Sequence, residues 1–148
     1  MGLPTAWIDT NIIVRFLTND HPEMSRECQA LMQRADEGLV RLKVPVMVIA
    51  ECCWVLKRIY RFSDAIIADT LRDLIMADGI EMEEKEIVFE ALYQFGKHNV
   101  GFIDAYLAES ARVKQPGYIL TFNEKDFTRL RIANDRPRDM QQTLTEIQ

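Results

Sequence analysis

The sequence is short of the residues that staple small domains together. Its 148 residues include three cysteines, Cys28, Cys52 and Cys53. An odd count with an adjacent pair is a poor disulfide framework, so these read as reduced thiols of a cytoplasmic protein. There are two histidines, His21 and His98, far apart and away from the cysteines, which argues against a structural zinc site. Long apolar runs are also missing. The longest uncharged one, Val44 to Ala50, is too short to span a membrane and contains Pro45. Met1 to Thr5 has no basic stretch ahead of an apolar one, so no signal peptide is expected. Basic residues are not in excess either. Eighteen Lys and Arg face 23 Asp and Glu, for a formal charge of -5. That excludes a histone-like basic coat, while a local basic patch or bound cations can still meet phosphate.

What is present suits one folded α/β domain. Hydrophobic residues make up 48% and charged residues 28%, enough to bury a core without staples. Ala6-Trp7-Ile8, ending at Asp9, reads as a buried strand, and Asn11 as the cap of a helix through Ile12, Ile13, Phe16 and Leu17. A second helix starts at Pro22, buries Cys28, Leu31 and Met32, and stops near Gly38. Residues 39–44 alternate like a strand. Pro45 opens a helix over 46–58, and Ser63 caps another that closes at Gly79. A minimal strand at 80–82 precedes an amphipathic helix over 84–98, with Ile87, Val88, Ala91, Leu92 and Phe95 inward. A helix over 103–114, a strand at 118–121 and a short helix over 123–131 follow. Alternating strands and helices predict a three-layer α/β/α domain with a mostly parallel sheet of four to five strands. The domain is placed at residues 1–131, followed by a tail, 132–148, with a helix expected from Arg138.

Four acids stand apart from the solvated majority. Glu51 is the one charge in the apolar stretch Val44 to Leu56, and a helix apolar all round is expected to be buried. A carboxylate there must be paired, neutral or bound to a cation, unless the helix keeps one wet stripe. Asp9 ends a strand, and in open parallel sheets sites lie beyond the carboxyl ends of the strands. Asp104 is the one charge between Val100 and Ala108. Asp126 follows the last strand closely. Taken singly, Asp9, Asp104 and Asn123 also read as helix caps, and Asp126 as an ordinary surface residue. Taken together, the four acids are expected to meet at one edge of the sheet. Their mutual repulsion would be relieved by a hard divalent cation such as Mg²⁺. Such a cluster suits phosphodiester hydrolysis by a metal-activated water.

The segments Ile8-Asp9-Thr10-Asn11-Ile12-Ile13-Val14-Arg15-Phe16-Leu17, Val48-Ile49-Ala50-Glu51, Phe102-Ile103-Asp104-Ala105 and Leu120-Thr121-Phe122-Asn123-Glu124-Lys125-Asp126-Phe127 carry a resemblance in order and spacing. The sequence resembles a PIN-domain ribonuclease, specifically a VapC-type toxin of a bacterial toxin–antitoxin module. The resemblance implies a five-stranded parallel sheet, Mg²⁺ or Mn²⁺ as cofactor, and endonucleolytic cleavage of RNA. It carries the metal-holding, catalytic role onto Asp9, Glu51, Asp104 and Asp126, with Asn11, Thr121 and Asn123 supporting the pocket. Family members often have an acid where Asn123 stands, or three residues later, as here. A homodimer and a cognate antitoxin are also implied.

RNA contact needs cations near the acids, and Lys57, Arg58, Arg61, Lys125, Arg129 and Arg131 are the candidates. Tyr60 and Phe62 could stack on an unpaired base or simply pack in the core. One competing reading is a PIN-fold RNA-processing or non-catalytic interaction protein. A remote one is an aspartate-based phosphatase or phosphotransfer receiver. It is discounted because Asn11 stands two residues after Asp9, where the phosphatase pattern wants a second aspartate.

Overall fold

The structure, a computed structural model, describes residues 2–140. They form two compact units that meet in sequence at Lys85 and Glu86.

The first unit contains β1 (Thr5–Trp7), α1 (Thr10–Leu17), α2 (Pro22–Asp36), β2 (Arg41–Lys43), α3 (Val46–Arg58), α4 (Asp64–Met76) and β3 (Ile80–Glu81). Its strands run parallel in the order β1-β2-β3, with Ala6 opposite Leu42 and Leu42 opposite Ile80. Parallel pairing requires long crossovers, and two helices fill each of them. Leu42, Val44, Ile49, Cys52, Leu56, Ile67, Leu71 and Ile75 are almost completely buried. The strand β1 differs from the buried strand expected. It is the edge strand, and Thr5, Ala6 and Trp7 are all exposed, while Ile8 just beyond is buried. The Trp7 ring is covered in part by the Lys43 ammonium, 5.3 Å from its centroid.

Local chemistry explains where the helices begin and end. Pro22 sits in the first turn of α2, and the Ser63 hydroxyl accepts the Ile66 N–H at the start of α4. Asn11 is not the cap of α1. That role falls to Asp9, whose Oδ1 accepts the Ile12 N–H at 3.3 Å, because Asp9 holds the extended conformation a cap needs while Asn11 is already inside the helix. A polar knot closes this half of the molecule. The Tyr60 hydroxyl donates to Asp20 at 2.7 Å and accepts from Arg15 at 3.1 Å, tying the end of α1 to the chain after α3. That hydrogen bond holds the Asp20 carboxyl below its ordinary value, with help from Thr18 and Arg15. Tyr60 and Phe62 also face one another, with ring centroids 6.1 Å apart.

The second unit contains α5 (Lys85–His98), α6 (Phe102–Lys114), β4 (Tyr118–Leu120), α7 (Glu124–Arg129), β5 (Ala133–Asp135) and a 3₁₀ turn (Pro137–Asp139). The strands β4 and β5 pair in parallel, with Ile119 opposite Asn134. The apolar stripe expected on α5 is buried in full: Ile87, Val88, Ala91, Leu92 and Phe95. A fifth strand therefore exists, formed by Ala133–Asp135, within the stretch read from sequence as tail. Only Ile132 signalled it, and Ile132 is buried. The helix expected from Arg138 is a 3₁₀ turn at its start, and the remainder of that expectation, residues 141–148, lies outside the described residues. Among the described residues no helix is long and apolar enough to cross a membrane.

Two glycines separate conformational strain from steric conflict. Gly38 and Gly79 both have positive φ, +78° and +82°. A Cβ at Gly38 would meet open space, whereas one at Gly79 would lie 2.5 Å from the Ala35 carbonyl oxygen. Gly38→Ala is expected to lower unfolding free energy by about 1 kcal/mol and Gly79→Ala by at least about 2 kcal/mol, measured by urea denaturation. Equal losses would show that the Ala35 contact relaxes freely.

Candidate metal centre

Asp104 and Asp126 are two of the four singled-out acids that the fold visibly brings together. Asp104 lies in the first turn of α6 and Asp126 in the first turn of α7. The Asn123 side-chain amide bridges them, donating to Asp126 Oδ2 at 2.9 Å and to Asp104 Oδ2 at 3.3 Å. Asn123 occupies the N-cap position of α7, but its side chain makes no capping bond. The cap reading of Asn123 is thus corrected, since its amide is committed to two carboxylates instead. Asn123 is itself held, its backbone N–H donating to Thr121 Oγ1 at 2.8 Å. Thr121 and Asn123 therefore both stand where a supporting role needs them.

The electrostatics match the geometry. Burial raises the Asp104 carboxyl above its ordinary value of 3.8, the Asp126 charge raises it further, and the Asn123 hydrogen bond pulls partly back. Arg129 stands 3.9 Å from Asp126, but it also donates to the His98 and Asn99 carbonyls at 3.2 and 3.3 Å. Its charge therefore closes the chain between α5 and α6.

In the first unit, Asp9 caps α1 and is exposed, as is Asn11 beside it. Glu51 is exposed too, which overturns the expectation of a buried carboxylate. Helix α3 is apolar but not covered on every side. Met47 is 79% and Trp54 58% exposed, and Met47, Glu51, Trp54 and Arg58 follow the helical repeat along one wet stripe. Cys52 is the buried neighbour that senses both acids. Burial, then the charges of Glu51 and Asp9, push its thiol up to about 12. Cys28 and Cys53 are likewise buried, free and raised chiefly by burial. All three are small core residues with no nucleophilic character at neutral pH.

The basic candidates are divided. Lys57 pairs with Asp64 at 3.0 Å. Arg58, Arg61 and Lys125 are exposed. Arg131 takes a left-handed φ of 58° at the end of α7. Among the described residues, no group of three or more His, Cys, Asp or Glu side chains stands close enough to hold a metal ion. Within the second unit, the acids brought together are Asp104 and Asp126.

Sequence reading missed Glu109 and Arg112, which anchor α7 from α6. The signal was there. Glu109 falls on the same helical face as Phe102, Ala105 and Ala108, all buried, and a carboxylate on such a face needs a partner, here three residues on.

Because Asp104 binds its proton more tightly folded than unfolded, it favours the fold below its unfolded value, and that stability is lost as pH rises through the raised one. In metal-free protein, Asp104→Asn should raise the melting temperature at pH 7, with the gain shrinking toward pH 3. Asp126→Asn should lower the Asp104 titration midpoint and Asn123→Ala should raise it, both read by carboxyl NMR. An unmoved midpoint in both variants would separate the three residues.

Comparison with curated proteins gives no significant match. A family model does match, the PIN domain, over residues 6–133. That stretch holds every strand apart from Thr5 of β1 and the last two residues of β5, and all the acids considered above. The α/β fold and the parallel pairing of the described strands agree with that match, which spans most of the chain: the chain belongs to the PIN-domain family.

Proposed function

We propose that this chain is a divalent-metal-dependent endoribonuclease, with Asp9, Glu51, Asp104 and Asp126 as the carboxylates of its metal site, and that it serves as the VapC-type toxin of a type II toxin–antitoxin pair. PIN domains are in general metal-dependent nucleases acting on RNA. The observation that carries the reading to this chain is the amide-bridged pair Asp104–Asn123–Asp126, with the Asp104 carboxyl raised by burial and by its neighbour's charge. Two carboxylates kept close in spite of repulsion are what a cation would neutralise. The donors are all oxygens, which fits a hard ion such as Mg²⁺ or Mn²⁺.

When bound, such an ion supplies charge neutralisation at the phosphodiester and a water of lowered pKa. The protein's own part is to hold the oxygens. Asn123 fixes the spacing of Asp104 and Asp126, and Thr121 fixes Asn123. Asp9 is pre-oriented by its bond to the Ile12 N–H. Asp104 must give up its proton for a cation to bind, so affinity falls as pH drops through its raised value. Arg58, Arg61 and Lys125 are the exposed cations available to phosphate. The toxin role rests on the order and spacing of the acidic segments, and brings with it a homodimer and a cognate antitoxin as expected partners.

Asp9→Asn and Asp104→Asn should each lower Mn²⁺-dependent RNA cleavage by more than about a hundredfold, since even the outer partners of metal ligands are worth about 10- to 100-fold. Circular dichroism should show both variants folded. Absence of Mn²⁺ or Mg²⁺ binding to the wild-type chain by calorimetry would defeat the catalytic reading. For the toxin role, expression should arrest growth, Asp104→Asn should relieve the arrest, and a small DNA-binding protein encoded next door should neutralise it. Growth unaffected by an active nuclease would favour a housekeeping RNA-processing role.

A further inference from the structure

Helix α7 carries Asp126 and follows directly on Asn123, yet at six residues it is far too short to hold itself together. Its position must come from outside. At its carboxyl end the chain turns through Arg131 at φ 58°. The Ile132 N–H returns to the Phe127 carbonyl at 3.1 Å and the Arg131 N–H to the Thr128 carbonyl at 3.0 Å. This is a Schellman turn with arginine where glycine is usual.

The Leu130 and Arg131 carbonyls at that turn are taken up by one guanidinium. Arg112 Nη2, from α6, donates to the Leu130 carbonyl at 2.7 Å and to the Arg131 carbonyl at 3.3 Å. Its Nη1 donates to Glu109 Oε1 at 3.0 Å. Glu109 is buried, at 8% exposure. Burial lifts its carboxyl and the Arg112 charge opposes that lift. The helices α6 and α7 are thus joined at two places. One is the Asp104–Asn123–Asp126 bridge. The other is the Glu109–Arg112 clamp, eight residues along α6 from Asp104, or about 12 Å of helix axis.

We infer, resting on the nuclease reading above for its catalytic meaning, that Glu109 and Arg112 are positioning residues for the metal-holding carboxylates. Arg112 fixes the far end of α7 against α6 and so sets the distance between Asp104 and Asp126 at the near end. Neither residue touches the reacting atoms. A planar guanidinium can serve two carbonyls and a carboxylate together, whereas a lysine ammonium offers no such fork.

The test uses the full chain and Mn²⁺ alone as probe. Arg112→Met should weaken Mn²⁺ binding by about tenfold in calorimetry and raise the half-saturating Mn²⁺ concentration for cleavage equally, with the KM for RNA unmoved once Mn²⁺ is saturating and the carboxylates are neutralised. Arg112→Lys, which keeps the charge, should recover part of the affinity and serves if the Met variant fails to fold. In metal-free protein, the Asn123 side-chain amide resonances should lose their hydrogen-bonded shifts in Arg112→Met. The double variant Glu109→Leu, Arg112→Met removes the orphaned buried charge, so it should regain melting temperature while its Mn²⁺ affinity stays low. If affinity returns with stability, the pair is merely structural and the proposal is overturned. It is equally overturned if Arg112→Met leaves both the Asn123 amide and Mn²⁺ affinity as in wild type. Should the wild-type chain bind Mn²⁺ yet leave RNA intact, the nuclease reading alone falls, and the affinity series together with the Asn123 amide still decides the clamp.

Discussion

Keeping two negative charges within reach of one amide is the constraint on which the second unit turns. The Asp126 charge disfavours ionisation of Asp104, and separating the two would be the easier arrangement for a protein concerned with stability alone. The surrounding groups all work against separation. Asn123 donates to both acids, Thr121 holds the Asn123 backbone, Arg129 ties α7 to the end of α5, and Arg112 ties it to α6. Buried Phe127 adds the apolar anchor. Repulsion sustained by this many independent restraints is what the proposed metal site requires.

Capping and catalysis need not compete for the same side chain. Asp9 is a true helix cap, and a cap of this kind contributes about 1 kcal/mol. Its bond to the Ile12 N–H engages Oδ1, which restricts the rotamer. On the nuclease reading, the structural role prepares the functional one. Asn123 shows the opposite outcome from a similar start. It stands at a cap position, but the pull of two carboxylates outweighs one backbone N–H, because hydrogen bonds to charged acceptors are roughly twice as strong as neutral ones.

Much of this was legible in the sequence, and the failures have physical causes. Helix α3 falls on the residues that Pro45 and the apolar run marked out, Val46–Arg58, and the stripe of α5 is buried residue for residue. Periodicity reports such long elements well because many side chains vote together. Short elements failed for want of votes. The strand β5 has three residues and is only partly buried, so its sequence, Ala133-Asn134-Asp135, carries no alternation to read. Glu51 was misjudged for a different reason. Apolar composition says what a helix could bury, not what neighbours exist to bury it, and α3 leaves Met47 and Trp54 in water beside it. The Glu109–Arg112 clamp was passed over, although its signal was an ordinary helical spacing.

Charge accounting then bears on how an acidic chain would meet RNA. The formal charge is -5, and several cations are already engaged. Lys57 is paired with Asp64, Arg136 with Glu124, and Arg112 and Arg129 with backbone carbonyls. Groups so committed keep their charge but lose the freedom to form bidentate contacts with phosphate. The candidates that remain exposed and outside the pairs just named, Arg58, Arg61, Lys125 and Arg131, are few for a polyanion. On the nuclease reading, the local field that would repel phosphate is the field of the catalytic carboxylates. Neutralising those carboxylates is then a condition of substrate approach as well as of the chemical step. Substrate affinity and cation affinity are thereby linked through the same few oxygens, so the spacing that Asn123 sets between Asp104 and Asp126 governs both.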